Sequence, residues 1–305
     1  MIYASKYLGE SPLAPVGVLV DPDDIQLLRT PVSHLNTRKY TQRRHSSIPS
    51  TSLAHIGYQQ PTMAQPQPKT TDNIDILPIT VPPPNPHLPT LTTKYKNLRL
   101  TALKTAPTSF SSTYAHESQF SDETWTSRVL NPRGQTFIAV RRPSEHASTG
   151  LDAHDEMQRL LHYEWVGQLT LIGPDVLSEE EKGEPWMVFL GGRDQSSTSD
   201  EGEAGVEGGK HAAYILVGMF VLSAFQGLGI GRRLIEAAME RVERDRAERE
   251  DVARFTVIIM VEQHNGTARR LYEKCGFDVR DEAAKVKIQD KWVHVVAMTR
   301  DITRM

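Results

Sequence analysis

The 305-residue sequence predicts a mixed α/β domain: one sheet with helices on its faces, preceded by a long extension of different composition. Three observations carry this reading. His211–Leu222 (HAAYILVGMFVL) is almost wholly apolar and lies between Gly209 and a glycine-rich turn, as a fully buried central strand does. From Gly229 the period changes, with Leu234, Ala238 and Val242 at i, i+4, i+8 and Ile235 and Met239 beside them, which is an amphipathic helix. Arg254–Val261 (RFTVIIMV) then reads as a second buried strand. Asn265 is placed to cap a short helix whose Ala268, Leu271, Tyr272 and Cys275 share a face, and Gly276 stops it. Closing strands are expected from Phe277–Val279 onward and at Trp292–Thr299, so the C-terminal half reads β–α–β–α–β–β.

Upstream the pattern is sparser. Residues 25–71 contain no acid and six bases, and residues 61–89 hold nine prolines, including Pro82-Pro83-Pro84. Proline fixes φ and removes a donor, so residues 1–90 are expected to be a disordered extension, with a basic docking segment or an atypical presequence as the alternatives. The folded domain is expected over 91–305. Leu98–Leu103 (LRLTAL) alternates like a half-buried strand, and Ser121-Asp122-Glu123 before Trp125 marks a helix start. Thr136–Val140 is a second short strand and Tyr163–Ile172 a third, closed by Gly173-Pro174. Residues 173–209 carry ten acids against Lys182 and Arg193, which predicts an acidic flexible insertion. Within it, Trp186–Leu190 is apolar and is expected to form an extra strand or hairpin.

Composition excludes several classes. A net charge of −3 argues against a dedicated nucleic-acid binder. The single cysteine, Cys275, forms no internal disulfide, and no metal site is expected. The longest apolar stretch, Ala212–Phe225, is shorter than the ~20 residues of a membrane span. No secretory leader is evident, so a cytoplasmic location is expected, with nuclear and mitochondrial locations left open.

The turn Gln226-Gly227-Leu228-Gly229-Ile230-Gly231 joins the central strand to the long helix. A helix N-terminus exposes unpaired N–H groups and the positive end of a dipole, and glycines let a phosphate come close. Arg232 and Arg233 add charge where a helix ordinarily disfavours it. A Walker loop lacks its Gly-Lys-Ser/Thr ending here, and a dinucleotide fingerprint would need G-x-G-x-x-G rather than G-x-G-x-G. A coenzyme A pyrophosphate loop and a plain tight turn remain.

Gln226–Leu234 resembles the acyl-CoA loop of the GNAT superfamily, the acetyl-CoA-dependent N-acyltransferases. Asn265–Phe277 is similar to a second block of that family, with its Asn, Ala, Leu-Tyr and Gly-Phe. Leu98–Leu130, with Pro107, Phe110, Tyr114, Glu117, Trp125 and Arg128, resembles more weakly its first strand and paired first helices. The likeness spans roughly 95–305 and leaves out 1–90 and 173–209.

The resemblance implies a mixed, mostly antiparallel sheet splayed between its fourth and fifth strands, flanked by helices, with acetyl-CoA as co-substrate. It implies that backbone groups of Phe220, Val221 and Leu222 meet the pantetheine amides, that Gln226, Gly227, Leu228, Gly229, Ile230 and Gly231 hold the pyrophosphate with Arg232 beside them, and that Asn265 contacts the pantetheine arm. Tyr272 would donate a proton to the leaving thiolate. An alkylammonium must lose a proton before it attacks, and Glu262 is the first candidate base, Glu164 the second. His264 reads as a solvated loop residue, and Cys275 as a small buried helix residue. The expected reaction is acetyl transfer to a primary amine (a small molecule, a polyamine or a peptide) by direct attack through a tetrahedral intermediate, and dimers, frequent in the family, make a homodimer one expected assembly. A polyamine or basic peptide would suit the acidic insertion. The alternatives are a non-catalytic acyl-CoA-binding module or a protein-interaction module on the same fold.

Overall fold

The computed structural model describes residues 73–81, 84–143, 155–179, 182–189, 209–288 and 291–303. Seven strands form one sheet in the order β1-β2-β3-β4-β5-β7-β6. They are β1 (Ile74–Pro78), β2 (Gly134–Arg141), β3 (Glu164–Val176), β4 (Lys210–Val221), β5 (Val252–Glu262), β6 (Asp278–Ile288) and β7 (Lys291–Thr303). Every neighbouring pair is antiparallel except β4–β5. The helices are α1 (Leu88–Thr105), α2 (Tyr114–Glu117), α3 (Asp122–Val129), α4 (Glu156–His162), α5 (Ile230–Glu248) and α6 (Gly266–Lys274).

The sheet has a different core on each face. On one, Leu234, Ile235, Ala238 and Val242 of α5 and Tyr272 of α6 pack on Tyr214, Leu216, Val257 and Ile259. On the other, Leu91, Tyr95, Leu98 and Ala102 of α1 join Trp125 of α3 and Leu160 of α4 over Ile138, Val140 and Phe220. The strands β4 and β5 are buried on both faces, as their continuous apolar runs require.

Several elements stand where the sequence predicts them. Asn265 Oδ1 accepts from the Ala268 N–H at 3.1 Å, and Ser121 Oγ accepts from the Thr124 N–H at 3.2 Å, so both expected caps form. Gly276 follows α6 with φ 81°, the left-handed geometry of a helix stop.

Other elements differ. Leu98–Leu103 is not a strand; it lies inside α1. Six residues of LRLTAL fit period 2 as well as period 3.6, but Leu91, Tyr95, Leu98 and Ala102 recur at helical spacing and all are buried. The first strand is Ile74–Pro78 instead, so structure begins inside the segment expected to lack it. Pro78 is tolerated because β1 is an edge strand and Pro78 ends it, where no neighbour needs its missing donor. The part of the extension before residue 73 lies outside the described residues.

β3 runs on through Gly173-Pro174 to Val176, with a register shift between Ile172 and Asp175, so the acidic segment starts later than expected. The Trp186 segment is a 3-10 turn over Pro185–Phe189 rather than a strand. Its Trp186, Val188 and Phe189 are buried against Ala213, Ile215 and Ile258. Residues 190–208 of the segment lie outside the described residues.

Helices α1, α2 and α3 are tied by one buried carboxylate. Glu117, 1% exposed, accepts from Arg99 Nη2 at 2.5 Å and from Arg128 Nη1 at 2.8 Å. Burial pushes its carboxyl up, but the Arg99 hydrogen bonds and the charges of Arg99 and Arg128 prevail and hold it below the ordinary glutamate value of 4.5. The group therefore stabilises the fold above pH ~4.5 and loses that contribution as pH falls through its depressed pKa. Glu117→Ala leaves two guanidiniums uncompensated and is expected to cost about 3–5 kcal/mol in a urea titration at pH 7. The deficit should shrink when the titration is repeated near pH 3.

Candidate functional site

The site begins where two strands part. β4 and β5 pair from Lys210–Val252 to Leu216–Ile259 and no further. Beyond that point β4 stays on β3 as far as Val221–Gly167, and β5 stays on β7 as far as Glu262–Val295. The sheet therefore splits at its centre, as the resemblance implies. At the split β4 carries a bulge, with Gly218 and Met219 together facing Leu169 of β3. Gly218 supplies the left-handed residue, φ 65°, that such a bulge needs.

The bulge sends neighbouring side chains to opposite faces. Met219 goes to the α6 side, where the Tyr272 hydroxyl lies 3.5 Å from its Sδ. Phe220 goes to the α1 side, with its ring 6.3 Å from that of Phe110. A cleft of about 1080 Å³ runs through the split and joins both sides. Its lining includes Phe220, Val221, Gln226, Gly227, Gly229, Ile230, Gly231, Arg232, Glu262, Asn265 and Tyr272.

The N-terminus of α5 opens into this cleft uncapped. Its N-cap, Gly229, has φ 74° and no side chain to offer, and no acid occupies the first turn. The first amides of a helix have no partner within it, so Ile230, Gly231 and Arg232 present donors at the cleft wall. The glycines serve different ends. At Gly227 and Gly229 a Cβ would find open space, and it is positive φ that selects glycine. At Gly231 φ is not positive, but a Cβ would come within 2.9 Å of Met219 Cε and 3.0 Å of Leu271 Cδ2. Gly231 lets α5 sit against the bulge and α6.

Some expected residues are used otherwise. The Leu222 N–H donates to the Val166 carbonyl at 2.8 Å, the Val221 carbonyl accepts from Gln226 Nε2 at 2.9 Å, and the Gln226 N–H donates to the Ser223 carbonyl. Leu222 and Leu228 pack against the core instead of lining the cleft. Arg233 turns away and donates to the Ile74 carbonyl of β1 at 2.9 Å, while Arg232 pairs with Glu236. Glu164 is not brought to the site. It starts β3 three residues before Gly167, beyond the pairing with β4, pairs with Arg141 at 2.6 Å and lies outside the cleft lining. His264 is exposed, as expected.

Tyr272 is 5% exposed, and burial first, then the neighbouring Cys275, raises its pKa, so the phenol stays protonated at neutral pH. Burial also raises the Cys275 thiol, with Glu236 adding to this and Arg232 and Arg300 opposing it. Cys275 is thus held as a thiol, unsuited to attack.

Sequence reasoning assigned no site residue to the first helices, although Phe110, Glu117 and Arg128 carry the weaker part of the resemblance. Tyr95, Arg99, Phe110, Glu117 and Arg128 all line the cleft, and so does Gln168 of β3. Gln168 is 1% exposed, an unusual burial for glutamine, and no local pattern marks it.

The glycine assignment predicts two distinct costs. Gly231→Ala is expected to lose about 1 kcal/mol, the crowding of the Met219 and Leu271 methyls being partly offset by alanine's better helix propensity. Gly227→Ala is expected to lose about 1–2 kcal/mol through its left-handed backbone alone. Urea titrations of the two variants measure both.

Residues 193–279 match a family model described as an acetyltransferase (GNAT) domain. No curated protein sequence matches the chain. Among solved structures, Arabidopsis thaliana NAA60 in complex with a bisubstrate analogue is 16% identical, with a TM-score of 0.43 over 75% of this chain and 99% of that one. A GNAT-family acetyltransferase from Streptococcus pneumoniae is 14% identical, with a TM-score of 0.42 over 75% and 100%. Spermidine N-acetyltransferase from Vibrio cholerae is 12% identical, with a TM-score of 0.37 over 75% and 95%. At such values the likeness rests on the family model, whose matched residues supply β4, α5, β5 and α6 around the split, and it is this part of the chain, residues 193–279, that is identified with the GNAT acetyltransferase domain.

Proposed function

We propose that the protein transfers an acetyl group from acetyl-CoA to a primary amine by direct attack. The observation that carries this reading is the meeting of three features in one cleft: the split between β4 and β5, the uncapped N-terminus of α5 and the buried Tyr272 phenol. The loop and first turn of α5 suit a pyrophosphate, which accepts from several amides at once. Arg232, Arg270 and Lys274 stand around the same cleft and complement a polyphosphate.

The chemistry needs a base and an acid. An alkylammonium is protonated at pH 7 and must lose a proton to attack the thioester carbonyl. Glu262, the last residue of β5 and a lining residue of the cleft, is assigned that proton. The neutral amine adds to the carbonyl carbon to give a tetrahedral intermediate; its collapse re-forms the carbonyl, breaks the carbon–sulfur bond and expels the thiolate, and the second proton shed by the nitrogen replaces the one that Tyr272 gives up. The Tyr272 phenol donates to the departing sulfur, a role its raised pKa favours by keeping the proton in place.

Acetyl-CoA titrated calorimetrically into the protein is expected to bind, and Gly229→Glu to abolish binding by putting a carboxylate against the pyrophosphate. Tyr272→Phe should lower kcat about 100-fold, followed by free-thiol release, while acetyl-CoA binding persists. An unchanged kcat in Tyr272→Phe would remove the acid assignment. Absence of acetyl-CoA binding in the unmodified protein would remove the whole reading.

A further inference from the structure

We infer that the acceptor site takes an amine that also bears a negatively charged group, of the amino-acid type, in preference to a polyamine or a simple alkylamine. The inference rests on the acetyl-transfer reading above and names its acceptor class.

Two unsatisfied buried groups of opposite kind carry it. Among the described residues, Gln168 Oε1 is buried without a hydrogen-bond partner, on a residue that lines the cleft. Its Nε2 makes a long 3.4 Å contact to the Gly218 carbonyl, beside the bulge. Arg128 Nε likewise has no partner among the described residues, on a side chain 10% exposed that lines the same cleft. An unpaired buried acceptor and an unpaired buried cationic donor each cost free energy. A ligand that offers an N–H to the Gln168 side chain and an anion to the Arg128 side chain, each turning slightly to expose its buried atom, offsets both costs.

The charge balance points the same way. Two guanidiniums, Arg99 and Arg128, face one carboxylate, Glu117, which leaves one positive charge among groups exposed 12% or less. Glu117 is fully engaged by both arginines. Among the described residues lining the cleft, the other carboxylate is Glu262, on the strand side, where the reading above places the reacting amine. Between the split and the arginines lie rings: Phe110 sits 6.3 Å from Phe220, and the Arg99 guanidinium 4.7 Å from Phe110. An apolar body between amine and anion fits that wall, whereas a polyamine would bring a second cation toward the arginines.

The experiment compares matched pairs by free-thiol release: phenylalanine with 2-phenylethylamine, tyrosine with tyramine and histidine with histamine, plus spermidine. At least one amino acid should exceed both its decarboxylated partner and spermidine by about ten-fold or more in kcat/KM. Arg128→Met, which leaves the neutral Arg99–Glu117 pair, should collapse that preference to less than about two-fold. Gln168→Met should raise KM for the preferred acceptor about ten-fold yet raise Tm, because it removes an unpaired buried acceptor. A glutamine with a merely structural role would lower Tm and leave KM unchanged. Equal or better turnover of the decarboxylated amines or spermidine overturns the inference. So does a lack of turnover of every amino acid by protein that binds acetyl-CoA. Failure to bind acetyl-CoA is a separate result, and it removes the parent reading and this inference with it.

Discussion

The parallel pairing of β4 with β5, and its end at Leu216–Ile259, is the constraint on which the rest of the structure depends. Each strand keeps its other neighbour, so the split does not fray the sheet. It leaves two backbone edges facing a gap, and such groups require partners. The bulge at Gly218 and Met219 sits at the same place, and it directs Met219 and Phe220 to opposite sides of the sheet. One backbone event thus sets the α6 side, the α1 side and the passage between them.

The two sides handle charge in different ways. Around α5 and α6 the cations Arg232, Arg269 and Arg270 are exposed or half-exposed; Arg232 pairs with Glu236, and Arg269 with Glu273 and Glu282, and these surface pairs contribute little to stability. Their positions suit a charged ligand that arrives from water. Around α1, α2 and α3 the charges are buried, and Arg99, Glu117 and Arg128 depend on one another to be tolerated. Aromatic rings complete that side, with Arg128 over Phe120 and Trp125 and Arg99 over Phe110. A network that holds three helices together therefore also forms one wall of the cleft.

The split also explains why neighbouring loop residues have different tasks. Gln226 folds back on the Val221 carbonyl and shapes the turn, while Gly227 and Gly229 supply positive φ. Arg233, one residue beyond Arg232, leaves the cleft to hold the edge strand at Ile74. Along a helix a step of one residue turns the side chain by about 100°, so adjacent arginines cannot share a task that depends on direction.

The sequence by itself determined β4, α5, β5 and α6, the caps at Ser121 and Asn265, and the glycine turn, because each is written in local periodicity or in residues a few positions apart. The fold puts Tyr272 and Glu262 in the lining of one cleft with that turn. Only the tertiary structure decided the remainder. Whether LRLTAL became helix or strand turned on the packing of Leu91, Tyr95, Leu98 and Ala102 against Trp125, which no six-residue window contains. The edge strand at Ile74 exists because β2 offers it a ladder 60 residues away in the chain, and Glu164 stands apart from Glu262 because the register of β3 takes it to Arg141. Gln168 and the Arg99–Glu117–Arg128 group acquire meaning only when β3, β4 and three helices converge on the split. Burial and unmet hydrogen bonds are properties of that convergence and have no signature in residue order.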